Sequence, residues 1–207
     1  MPQVMNAALP TLTALSLLIV GITPARSEVL WYGGDINPRS SSFNNTRLTD
    51  AYGSTVLDDF VVTDAASWHV TGLFSNNTPG YSTGMPPFTE AAWSVRTGVA
   101  NGEFGTFLFS GISPVTVTPT GRTGGEFTVA VNNLSFDLAP GSYFMSVSPI
   151  AQGQYYYVGR SGGANAVGTA GSRGIFRESR FIVNGAPDNR ILEYISPLVQ
   201  WERQEMH

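Results

Sequence analysis

The chain has 207 residues, a formal net charge of −4, and 13% charged against 42% apolar residues. That length holds one domain with its own core, and an acidic chain without a basic stripe lacks the clustered cations that nucleic-acid binding requires. Cysteine is absent, which excludes disulfides, thiolate metal centres and thiol nucleophiles together.

Residues 1–27 read as a secretory signal peptide. Ala7–Val20 is an apolar run too short for a membrane span, and Ala25 and Ser27 are the small residues of an A-x-A-like cleavage site, with cleavage expected before Glu28. The mature segment is therefore expected to be secreted or at the cell surface, without a membrane span. Val29–Tyr32 reads as a short strand, and 33–55 as a polar loop dense in Gly, Ser and Asn. Strands are predicted at Val56–Thr63 and Ser67–Phe74, with a loop over 75–87. Ala91–Thr97, Phe104–Ser110, Val115–Thr118, Glu126–Asn132, Ser142–Ile150, Tyr155–Gly159 and Phe176–Val183 complete the series.

The period is two almost throughout: Phe127, Val129 and Val131 share one face while Thr128, Ala130 and Asn132 share the other. So many short strands with 23 Gly and 13 Pro between them predict an all-β fold over 28–183, a two-sheet antiparallel sandwich of jelly-roll type. The tail 184–207 stands apart. Ile191, Leu192, Ile195, Leu198 and Val199 fit helical spacing within Asn189–Glu205, but Pro197 interrupts them, so a short or broken helix, or a disordered tail, is expected.

Apart from the last residue, His69 is the one histidine. Alternation puts Trp68 and Val70 on the core face and His69 on the other, which argues against catalysis. No G-x-S-x-G elbow occurs. A hydrolytic carboxylate pair would have to be built from loops, for example Asp35 or Asp50 with Glu90 or Glu103; this is the rival to a noncatalytic reading. Asp58 and Asp59 are adjacent in a strand, so their side chains are expected on opposite faces; each is a strand-entry acceptor first and a calcium ligand second. No other cofactor is indicated. Aromatic side chains carry the remaining chemistry. Tyr155, Tyr156, Tyr157, Trp31 and Tyr81 lie in or near loops, where such rings stack on sugars.

Through "DDFVVTDAASWHVTGLFSNN", "AAWSVRTGV", "LAPGSYFMSVSP" and "GANAVGTAGS", the chain resembles secreted bacterial β-sandwich proteins, many of which carry a C-terminal PEP-CTERM sorting signal. The resemblance spans about Leu30 to Val183. It implies a jelly-roll-like sandwich on an exported protein associated with the cell surface or a polysaccharide matrix, and it implies no catalytic residue. The signal itself is not here: the tail "NRILEYISPLVQWERQEMH" has no Pro-Glu-Pro. The sequence thus points to an exported noncatalytic protein that binds extracellular polysaccharide or matrix, or else to a structural surface protein that self-associates through a sheet edge.

Overall fold

The computed structural model describes residues 28–37, 42–48, 53–63, 67–80, 87–122, 124–159, 161, 163–172, 175–183 and 186–196. The signal peptide, Asp50 and Tyr81 lie outside them. Among the described residues the chain is all β, with no helix. In chain order the strands are β1 (Ser42–Asn44), β2 (Arg47–Leu48), β3 (Gly53–Val62), β4 (Trp68–Val70) and β5 (Leu73–Pro79). Then come β6 (Glu90–Ala100), β7 (Glu103–Pro119), β8 (Phe127–Val131), β9 (Phe136–Leu138) and β10 (Gly141–Ala151). The last are β11 (Tyr156–Gly159), β12 (Thr169–Ala170), β13 (Ile175–Val183) and β14 (Ala186–Ser196).

Hydrogen bonding joins twelve of them in the order β1-β11-β5-β8-β7-β6-β10-β2-β3-β13-β14, with β12 on β3; β4 and β9 form a separate antiparallel pair. The large sheet is mixed, because β10 runs parallel to β2. β7 serves both halves. Its residues 103–114 pair with β6, and 115–119 pair with β8. One layer is therefore β6, β10, β3, β13 and β14, the other β8, β5, β11 and β1, and the sheet folds over through β7 into a sandwich. Alternation explains what lies between. Phe60, Val62, Val95 and Val147 from the first layer meet Leu73, Val129, Val131 and Tyr156 from the second in one core. A smaller cluster of Leu57, Val99, Phe144 and Phe176 forms on the opposite face of the first layer.

Several local expectations change. The predicted strand Val29–Tyr32 is reduced to a single bridge at Tyr32, and residues 33–55, expected as loop, hold β1, β2 and the start of β3, which pair with β11, β10 and β13. Ser67–Phe74 is two strands, not one: at Gly72 the backbone passes so close to Val131 that a Cβ would stand 2.9 Å from its carbonyl oxygen, and the chain turns there from β4 into β5. Residues 75–79, expected as loop, continue β5, because β8 and β11 flank them on either side. Phe104–Ser110 and Val115–Thr118 merge into β7. Gly102, with φ 79°, makes the tight turn that starts this strand beside β6. The expected short helix in the tail is instead a strand, β14, paired antiparallel with β13 through Ser196. The unpaired edge of β13 offers a full ladder of hydrogen bonds, which a proline-limited helix standing alone could not match.

Candidate binding cleft

The cleft is built from one strand and one strap. On β3 the residues Val56, Asp58 and Phe60 all face the space between the layers and line the cleft there. Asp59 points the other way, its carboxylate beside Gly171. Asp58 is thus a carboxyl in the middle of an apolar row. Its Oδ1 accepts the Asp59 backbone N–H at 3.1 Å. Burial, and secondarily the Asp59 carboxylate, raise its pKa to about 7.

The strap is residues 28–37. Tyr32 exchanges two 2.9 Å backbone hydrogen bonds with Val167, and Ile36 bridges to Ser161. Gly34, at φ 98°, lies so close to Ser161 that a Cβ would come within 2.6 Å of its hydroxyl, so only glycine passes there. Asp35 anchors this segment. It accepts hydrogen bonds from the Tyr32 hydroxyl at 2.8 Å and the Asn165 amide at 2.8 Å, and pairs with the Arg122 guanidinium. These bonds hold the Asp35 carboxyl below its ordinary pKa, while burial and the bond to Asp35 push the Tyr32 phenol up to about 12. Arg122 also grips Glu126 with both Nε and Nη2, at 2.5 and 2.7 Å. The N-terminal segment is thereby tied to the β7–β8 connection, and Trp31 is laid against Phe60 with ring centroids 5.5 Å apart.

Between strap and strands remains a cleft of about 330 Å³. Trp31, Tyr32, Phe60, Trp68, Phe74 and Met145 give it apolar walls. Asn76, Asn132 and Ser161 add hydrogen-bonding groups, and its ionisable walls include Glu28, Asp58 and His69. No family model, curated protein or solved structure matches the chain. A second hollow, of about 340 Å³, lies over the first layer beside Arg47, Ser94, Arg96 and Phe107.

The residues singled out from sequence fall in different places. Trp31 lines the cleft. Tyr156 does not belong to any surface platform: it is 1% exposed, packed edge-on to Phe88 and Phe127, and its hydroxyl donates to Gln154 at 2.8 Å. Three consecutive tyrosines on a strand must send one inward, and it is the middle one. Tyr155 and Tyr157 are half-buried and do not border the cleft. Asp58 and Asp59 face opposite sides, so they cannot share one calcium ion; among the described residues no group of three or more His, Asp or Glu gathers as a metal site. Of the acids considered for a hydrolytic pair, Asp35 is bound to Arg122, Glu90 and Glu103 are exposed, and none of the three borders the cleft.

His69 sits as alternation requires, outward, while Trp68 and Val70 are each 9% exposed. It hydrogen-bonds Asp137 across the β4–β9 pair at 2.7 Å, both side chains largely in solvent. The residue nonetheless borders the cleft, a position that facing alone could not reveal. Trp68 is a functional candidate that the sequence reading left on the core face, and Asp58, singled out there as a strand acceptor or calcium ligand, is found on the cleft wall. The signal for Asp58 was available, since it shares parity with Val56 and Phe60.

Proposed function

We propose that this is an exported, noncatalytic protein that binds extracellular polysaccharide, seating part of the glycan in the cleft between its layers. The observation that carries this reading is the cleft itself: aromatic rings at Trp31, Tyr32 and Trp68 beside the amides of Asn76 and Asn132. Rings supply the apolar faces on which sugars stack, and a few placed polar groups fix orientation. The signal-peptide reading and the resemblance to secreted matrix-associated sandwiches point to the same setting. Affinity electrophoresis through gels containing soluble polysaccharides tests it. Retardation on at least one gel, lost in Trp31→Ala, is expected; free migration on all of them overturns the reading.

One observation favours a second reading, self-association. Phe107, Leu108 and Ile112 on β7 are 41–54% exposed. Among the described residues no strand pairs with the second edge of 103–113. An open edge with apolar side chains is a template for another chain. Light scattering across concentrations distinguishes it: a monomer at every concentration removes this reading, and an oligomer dispersed by Leu108→Lys supports it.

A further inference from the structure

We propose that the unit seated in this cleft carries a protonated amine, held against Asp58 within the ring formed by Trp31, Phe60 and Trp68. The inference rests on the glycan reading and narrows it to an amino sugar with a free amine.

The charge inventory of the walls comes first. Among the described residues the ionisable groups there include two acids, Glu28 and Asp58, and one imidazole, with no arginine; the chain has no lysine at all. Two other sequestered acids are given cations. Glu178 has Arg96 at 2.7 Å, and Glu126 has Arg122 at 2.5 Å. Asp58 has, among the described residues, only a backbone N–H, on Oδ1. Its Oδ2 faces the strap at Gly33, where a Cβ would stand 3.3 Å away; the missing side chain leaves room for a ligand atom. In its ionised form the carboxyl accepts hydrogen bonds and donates none, so the group that stabilises that form is a donor. A neutral hydroxyl would satisfy one lone pair and leave the charge uncompensated. An ammonium brings up to three donors and the opposite charge.

The rings complete the case. Trp31, Phe60 and Trp68 form a contiguous aromatic group, with Phe60 tilted against Trp31 and stacked parallel to Trp68 at 6.0 Å. All three border the same cleft as Asp58. Aromatic faces beside a carboxylate are the surroundings that favour an organic cation over a neutral group.

The whole mature chain, titrated by tryptophan fluorescence with three probes, tests this: a glucosamine oligomer, its N-acetylated counterpart and phenethylamine. The free-amine oligomer is expected to bind about tenfold more tightly than the acetylated one. Asp58→Asn, with a thermal transition at least as high as the parent's, is expected to reduce that preference to within about twofold. Equal binding of the two oligomers, or a preference that survives Asp58→Asn, overturns the amine inference and leaves the glycan reading standing. Phenethylamine binding with neither oligomer bound overturns the glycan reading and supports the amine. Binding of none of the three overturns both.

Discussion

Glu178 and Asp58 are two acids on opposite faces of one layer, the first fully buried and the second half-buried on the cleft wall, and the fold treats them differently. Glu178 has no exposed side-chain surface, and Arg96, 3% exposed, meets it at 2.7 Å. That guanidinium is itself fully engaged: Nε donates to the Ser94 hydroxyl at 3.2 Å, Nη1 to the Phe104 carbonyl at 3.3 Å, and its carbon lies 3.9 Å over the Phe107 ring. Charge, hydrogen bonds and aromatic contact are all supplied from within the chain. Asp58, facing the interlayer cleft, has one backbone hydrogen bond and a neighbouring like charge. A closed site and an open one differ in what completes them. The first is structure; the second is the place where an outside group lowers the energy of the folded protein.

The largest way to break this comparison is Arg96→Ala. It takes the Arg96 guanidinium from the buried Glu178 carboxylate, and should cost about 3–5 kcal/mol in urea unfolding. Arg96→Met combined with Glu178→Leu should recover most of that loss, because removing both charges removes the desolvation penalty with them. A single variant that unfolds like the parent would show that the pair is solvated. Next in size is Arg122→Ala, expected to cost about 2–3 kcal/mol. Glu126, 2% exposed, loses both of its guanidinium bonds, and the strap loses its tie through Asp35.

Asp58→Asn sharpens the contrast with the opposite sign. A carboxyl whose folded pKa stands near 7, above its ordinary 3.8, binds its proton more tightly when folded. Its contribution to stability is full below about pH 4 and is lost as the pH rises toward 7. Asparagine keeps the acceptor for the Asp59 N–H and carries no charge. At pH 8 the variant should be more stable than the parent by about 1–2 kcal/mol, and at pH 4 the two should coincide. Parallel melting curves at every pH would contradict the assignment of Asp58 to a desolvated site.

How much of this was legible follows from what parity can and cannot encode. Alternation along β8 put Phe127, Val129 and Val131 on one face, and all three are buried; it also placed Asp58 and Asp59 on opposite faces. It also put Asp58 on the Val56–Phe60 face, yet gave no hint that the space there stays open. That depends on the strap, which reaches the sandwich through Tyr32, Asp35 and Ile36 across 87 to 135 residues of sequence separation. Arg122, between Thr120 and a Gly-Gly turn, carries no local pattern that names Asp35 as its partner. The tail failed for a related reason. Ile191, Leu192 and Ile195 suit a helical face, but Ile191 and Ile195 also share parity in a strand, and the available edge of β13 decided between the two. Tyr156 shows the converse: three tyrosines in a row gave no way to choose the inward one without knowing the strand's phase.

The smallest effect separates a charge that matters by burial from one that merely meets its partner. His69 and Asp137 are 2.7 Å apart, as short a contact as Arg96 and Glu178, but their side chains are 57% and 69% exposed. Water already satisfies both groups, so ordering them gains little. Asp137→Asn should change unfolding by less than about 1 kcal/mol, and salt should shrink even that. Because His69 also borders the cleft, the same variant checks whether the pair has any part in binding. If Asp137→Asn lowers affinity for the glucosamine oligomer as strongly as Asp58→Asn does, the pair belongs to the recognition surface, and closure of a site cannot be read from burial alone. If affinity is unchanged, distance without desolvation carries no energy here, and Asp58 differs from Asp137 because the fold has taken its water away.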